Sequence, residues 1–383
     1  MTGCRGCGSR RLHRVLDLGR SPAADHFPCA TAPETFAEAS HPLAMDLCEV
    51  CALAQLADDD TTADEPRGIE PQALRDQAVD AVQRLTADGW LRGNTVREFG
   101  SPHGGTWLPL LTPHGYTEEV IADIVLDSFG IMHDPDQSAA FRQRAAATAP
   151  DGVLLLQFHS LLSIVNQGQW NALRHGHFAY YSLTALKRLI ENAGMSVATA
   201  WEFDLYGGTV LVAAVHQSVE PDRRVQQILA REAAFGICDA DVVARLQQAA
   251  DEQTDSLRHW LETQASAGQR VYAYGAASRA VALFSRAGVD RQLLAAVADA
   301  SPAKQGRRMP GTDVPIISPE QLITADPDRV LLTLPDLYAE VRQRYPQLQD
   351  RWFIDTWSGT PQPHDTAHQD QGRRSAWHAT TLR

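Results

Sequence analysis

Apolar positions recur at helical spacing over 72–85, at Leu74, Ala78, Val79, Val82 and Leu85, and this spacing predicts one helix. Beyond it the period changes. Residues 95–99, 122–129 and 153–158 are short apolar runs bounded by Gly, Pro and Asp, which predicts buried strands. An Ala-rich helical stretch runs to Ala149, and Pro150-Asp151-Gly152 turns the chain into the last of these strands. Strand, helix, turn, strand is the back half of a doubly wound α/β sheet. The theme repeats downstream. Residues 222–262 are long, polar and amphipathic (Val225, Ile228, Leu229, Phe235), as helices are. Residues 271–274 read as a strand entering a glycine turn at Gly275, and 281–287 continue a helix. Residues 293–299, 330–334 and 352–355 are the remaining strand candidates. Upstream, 11–18 (Leu12, Val15, Leu16, Leu18) and, more weakly, 42–47 are short strands. Residues 360–383 are polar, without the apolar content to pack.

The length, 383 residues, exceeds what one core serves. The expected division is a metal-stapled lobe at 1–65, an α/β domain at 66–216, a second α/β domain at 217–357 and a polar tail at 358–383. A net charge of −13 leaves no basic face for nucleic acid or an anionic membrane, though a local patch for a phosphorylated small molecule is compatible with it. No apolar run reaches a membrane span, and the N-terminus has no apolar signal core, so a cytoplasmic, reducing location is expected. There, paired cysteines bind metal more often than they form disulfides. Cys4, Cys7, Cys48 and Cys51 form two C-x-x-C knuckles, the ligand set of a structural zinc site; a redox pair is the alternative. Four cysteines close the coordination sphere, so the metal's expected role is to staple the fold. Cys29 and Cys238 read as ordinary residues, and the acidic run 58–65 as a solvated linker.

One motif in the middle domain carries candidate chemistry. Glu98 stands near the end of a strand and leads into Gly100, Ser101, His103, Gly104 and Gly105. Glycines there let a backbone approach a ligand, and the following helix start offers N–H groups. By itself such a turn has many uses. The run EFGSPHGG, however, resembles motif I of S-adenosylmethionine (SAM)-dependent methyltransferases, and 122–157 resembles their fourth and fifth strands. Residues 174–183 (RHGHFAYYSL) resemble Y-H-E-H-x-x-Y-F-S-L, and Tyr206-Gly207-Gly208-Thr209 resembles H-G-G-S. Tyr274-Gly275-Ala276 and Lys304-Gln305-Gly306…Pro310-Gly311-Thr312 resemble G-Y-G-A…K-Q-G…P-G-T. With the four cysteines, this order resembles the sugar C-methyltransferases of deoxysugar biosynthesis over nearly the whole chain. The resemblance implies a zinc lobe, a central SAM domain and a C-terminal Rossmann-like domain.

It also implies a reaction: C-methylation at C3 of a TDP-linked 4-keto-2,6-dideoxyhexose. A base removes the proton alpha to the ketone, and the enolate takes the methyl group. His177 is the leading base candidate, with His175, Tyr181 and His159 behind it. Tyr206 stands where the family has a histidine, so enolate stabilisation or protonation suits it better. SAM-side candidates are Glu98, Gly100, Ser101, His103, Gly104, Asp127, Phe129 and His133. Substrate-side candidates are Gly207, Gly208, Gly275, Arg279, Lys304 and Arg307. Each has a plainer reading: Tyr181 as packing, Asp127 and His133 as cap or surface residues, Gly207-Gly208 as a close backbone approach, the 304–308 cations as a solvated loop. In one branch of the family the same protein reduces the C4 ketone with NADPH. The alternative is an NADPH-dependent ketoreductase, or a catalytically silent pathway partner that no longer uses SAM. The chain also departs from the pattern. Only 106–121 separate the glycine turn from the next strand, too little for the usual two strand–helix units, one of which carries the acidic residue for the SAM ribose. The glutamate of H-E-H is Gly176, and the family's Tyr-rich entry is replaced at 65–69.

Overall fold

β1 (Leu12–Pro22) pairs antiparallel with β2 (Ser40–Cys48), and β2 with β3 (Ala54–Leu56). The strand expected at 11–18 runs on to Pro22 because Gly19, at φ +70°, sits in a register shift that bends it without breaking the pairing. In this computed structural model the described residues are 3–31, 38–61, 70–102 and 104–354, with the backbone at 362–363. Val15, Leu16 and Leu18 are buried in one cluster with Leu246, Ala250, Leu257 and Val281 from the helices Arg245–Ser266 and Ser278–Arg286. Trp170 fills the same cluster and donates its indole N–H to Gln253 Oε1 at 2.6 Å. Burying large apolar side chains stabilises by roughly 1.5–3 kcal/mol each, which fixes the lobe against the C-terminal half.

The middle domain holds β4 (Thr95–Phe99), β5 (Thr117–Glu118), β6 (Ala122–Ser128), β7 (Thr148–His159), β8 (Ala179–Tyr180), β9 (Ser196–Phe203) and β10 (Thr209–Val215). Six of them form a sheet in the order β5-β4-β6-β7-β10-β9. The first four strands are parallel, and β10 is antiparallel to β7 and β9. The helix Gln72–Ala87 buries Ala78, Ala81, Val82 and Leu85 against it, while Val79, expected on the apolar face, is 41% exposed. Pro150-Asp151-Gly152 does not end a turn before the strand. It lies inside β7, as a register irregularity opposite β6. In the 106–121 segment, expected to be too short for two strand–helix units, β5 forms a two-residue strand beside β4, and Glu118 is its last residue. β8 leaves the middle sheet and pairs with β3, so the lobe's sheet reads β1-β2-β3-β8.

The C-terminal sheet comprises β11 (Val271–Tyr274), β12 (Val297–Ala298), β13 (Ile316–Ile317), β14 (Arg329–Leu332), β15 (Trp352–Ile354) and β16 (Gln362–Pro363), in the order β13-β12-β11-β14-β15-β16. All its pairings are parallel except that of β16. The strand expected at 293–299 shrinks to β12 because the amides of Leu293 and Leu294 both turn back onto Asp290 O. Among the described residues no helix is long and apolar enough to cross a membrane.

Candidate active site and metal centre

Cys4 and Cys7 occupy a tight turn closed by Gly8 N–H donating to Cys4 O at 2.9 Å. Cys48 ends β2, and Cys51 follows in a second turn whose Ala52 takes φ +62°. Cys4 and Cys51 Sγ stand 3.5 Å apart, Cys7 and Cys48 3.6 Å, and all four sulfurs lie within 4.8 Å of one another. A tetrahedron with Zn–S of about 2.3 Å has edges of about 3.8 Å, so the set fits zinc. The Cys51 thiol bonded to Cys4 pulls the Cys4 pKa down to about 5, while that bond and burial push Cys51 up. Cys29 and Cys238 are exposed and separate from the cluster.

A cavity of about 250 Å³ opens where the carboxyl ends of β4, β6 and β7 face those of β11 and β14. Ligands of α/β sheets bind at such edges. The glycine turn contributes Ser101, Gly104 and Gly105, with both glycines left-handed at φ +85° and +86°. Glu98 does not face the cavity. Its carboxylate accepts from Thr106 Oγ1 and from Trp107 N at 2.7 Å, which closes the turn, and burial raises its pKa. Asp127 also stays behind the wall. Its Oδ1 accepts from Gly130 N (2.7 Å) and Ile131 N (2.9 Å), its Oδ2 from Arg144 Nε (2.9 Å). It thereby anchors the turn that presents Met132 and His133 to the cavity. Gly130 allows this because a Cβ there would meet Asp127 Oδ1 at 2.9 Å and Gly100 O at 3.0 Å. His103 lies outside the described residues.

The segment 174–181 is stitched from two sides. β8 pairs with β3 of the lobe, and Phe178 N–H donates to Met132 O at 2.7 Å. His177 thereby enters the cavity wall, its ring 4.4 Å from that of His133, whose Nδ1 bonds Gly176 O at 2.9 Å. Arg174 Nε donates to His177 Nε2 at 2.9 Å, occupying that lone pair. His175 turns away: its Nε2 meets Pro42 O at 3.1 Å in the lobe, and burial lowers its pKa. Tyr181 touches the cavity, but its hydroxyl donates to Gln137 Oε1, its ring packs on Phe141 and Phe158, and burial raises its pKa well up. Asp59, read as part of a solvated linker, accepts from Gly176 N at 2.7 Å and belongs to this scaffold. Gly176 sits at φ +76°, which suits the glycine that replaces a glutamate there.

Tyr206 and Phe129 are non-glycine residues in the left-handed region, at φ 55° and 60°, with rings 5.9 Å apart across the cavity. Such strain clusters at functional sites. Gly207 and Gly208 do not line the cavity; they let the chain pass against Gln167 and Ser163. His159, at the end of β7, faces the same space, 6.3 Å ring to ring from Tyr206. The C-terminal wall supplies Arg279, whose guanidinium stands 5.4 Å over the Tyr206 ring and whose pKa is pushed down to about 10 by burial and by neighbouring Arg174. Lys304 joins them, with Nζ donating to Ala276 O at 2.7 Å. Arg307 does not reach the cavity: it holds Phe27 O and Ala303 O instead. Gly275 also stays behind the wall, and Asp299 gives its carboxylate to the amides of Ala276 and Ser301. Sequence reasoning did not single out Arg174, Glu70 and Asp336 for this wall; Arg174 lay in plain view two residues before Gly176.

Three family models match in order: a zinc binding domain over residues 4–63, a methyltransferase domain over 71–200, and a C-methyltransferase C-terminal domain over 204–352. The C-methyltransferase NovU of Streptomyces niveus is 26% identical over 376 residues, 86% of this chain and 88% of its own. Among solved structures, magnesium protoporphyrin IX methyltransferase of Synechocystis PCC 6803 is 13% identical and covers 40% of this chain and 90% of its own, at a TM-score of 0.28. The 1,6-didemethyltoxoflavin-N1-methyltransferase of Burkholderia thailandensis is 12% identical and covers 42% and 94%, at 0.27. The chain thus carries, in sequence, the zinc-binding, methyltransferase and C-terminal domains of a SAM-dependent C-methyltransferase.

Proposed function

We propose that the protein methylates C3 of a TDP-linked 4-keto-2,6-dideoxyhexose, in an antibiotic deoxysugar route. The observation that carries this reading is the meeting of Arg174, Arg279 and Lys304 with the glycine turn in one cavity. Three cations facing one space suit a diphosphate, and burial of Arg279 beside a like charge is relieved when an anion enters. On the opposite wall Ser101, Gly104 and Gly105 suit SAM, with Glu70 beside them as the acceptor for ribose hydroxyls that the shortened 106–121 segment leaves unfilled. Bound SAM supplies an electrophilic methyl group. The chain's own residues hold the sugar, keep the reacting carbon dry and accept the enolate's negative charge, for which Arg279 beside Tyr206 is placed. Ketoreduction with NADPH draws no support from the C-terminal sheet, whose Asp299 is already spent on the turn amides.

Incubation of a TDP-4-keto-2,6-dideoxyhexose with methyl-labelled SAM is expected to leave label on C3. Retention of all label in SAM, with SAM bound, would sink this reading.

A further inference from the structure

Four imidazoles and one phenol have been placed near the reacting space, and their hydrogen bonds separate them. His177 Nε2 accepts from Arg174, His133 has Nδ1 on Gly176 O and its ring edge-on to that of His177 at 4.4 Å, His175 is committed to the lobe, and burial raises the Tyr206 phenol. His159 differs. It is only 8% exposed, it lines the cavity, and its Nε2 has no hydrogen-bond partner among the described residues. The Tyr206 backbone carbonyl acts on this ring as an acceptor, and because Nε2 is the nitrogen that lacks a partner, the proton is assigned to Nδ1 and the lone pair to Nε2. A buried polar atom without a partner costs free energy, so its persistence beside a ligand cavity marks a group waiting for one.

We propose that His159 Nε2 is the base that removes the substrate's alpha proton. The inference rests on the C-methylation reading above. The C3–H bond breaks, its electron pair moves into the enolate, and the proton forms an N–H bond at Nε2; it leaves to solvent after turnover. Burial and the field of Arg279 keep the imidazole neutral before substrate arrives, so the lone pair is available at neutral pH. The same Arg279, over the Tyr206 ring, faces the negative charge that this proton transfer creates. Base and charge stabiliser therefore come from different domains, the end of β7 in the middle sheet and the start of the helix Ser278–Arg286 after β11.

The test separates proton removal from methyl transfer. In D2O without SAM, the wild-type protein should exchange the C3 hydrogen of a TDP-4-keto-2,6-dideoxyhexose for deuterium, read by mass spectrometry. His159→Gln and His159→Ala should each lose at least about 100-fold in exchange rate, the scale of general-base catalysis, with SAM Kd unchanged. Added imidazole should restore part of the exchange to His159→Ala, which a purely structural residue would not allow. Exchange within a few fold of wild type in the His159 variants overturns the proposal, as does its loss in His177→Asn alone. If the wild-type protein neither exchanges nor methylates, the C-methylation reading falls and this inference with it.

Discussion

The sulfur cluster and the cavity are both gathered from distant parts of the chain, but they are built by opposite rules. In the cluster four identical side chains share one task, and their thiols already satisfy one another at 3.5–3.6 Å. In the cavity cations, imidazoles, a phenol and glycines meet in one space, and several are held in unfavourable states. Phe129 and Tyr206 are left-handed, His159 Nε2 is unpartnered, and Arg279 is partly stripped of water. Each strained backbone position costs on the order of 1–3 kcal/mol, which the packed surroundings must offset. The difference teaches that stability and chemistry reside in separate places here, and that substitution should expose the division.

The largest effect is expected at the metal. Cys48→Ser should abolish zinc binding, measured by elemental analysis, and remove a term on the order of 10 kcal/mol from the lobe, seen as early melting of β1–β3. Retained zinc and melting temperature would erase the contrast. Next, Arg144→Met strands the buried Asp127 carboxylate and should cost about 3–5 kcal/mol in denaturant unfolding. Arg279→Gln should behave oppositely: stability near wild type, but TDP-sugar affinity lower by roughly 10–100-fold in calorimetry, with SAM affinity kept. A melting loss equal to that of Arg144→Met would blur the two regions. Glu70→Gln should weaken SAM by roughly 3–10-fold and leave the sugar ligand alone. The smallest effect is a slope. Because the folded pKa of His159 lies well below the ordinary value, the unfolded chain takes up a proton near pH 6.5 that the folded one refuses. Stability should therefore fall as pH drops below about 6.5, and His159→Gln should flatten that fall; identical slopes would contradict it. His175, shifted the same way, contributes equally to both proteins.

What the sequence revealed divides along the same line. Cys-x-x-C spacing is local, so the cluster was legible from four positions. The long strands β6 and β7 were legible because burial on both faces leaves an unbroken apolar run. β5 and β8 were not, since two-residue strands carry no period, and β8 takes its partner from another domain. Among the 304–308 cations, charge alone could not show that Lys304 turns inward while Arg307 is spent on Phe27 O. His159 had no pattern to announce it: its distinction is the absence of a partner, which only the folded surroundings define.

Arg5 rides between the two sulfurs of the first knuckle. Its side chain donates to Leu56 O and to Pro135 O, and its guanidinium lies 4.6 Å from the centre of the Phe178 ring. Pro135 follows His133 and Phe178 follows His177, so the knuckle grips both imidazole-bearing segments through one side chain. Loss of the metal is therefore expected to loosen that imidazole pair through Arg5. A chelator would act on this protein as a remote inhibitor, and a zinc-starved cell would lose the activity without any change in the supply of methyl donor.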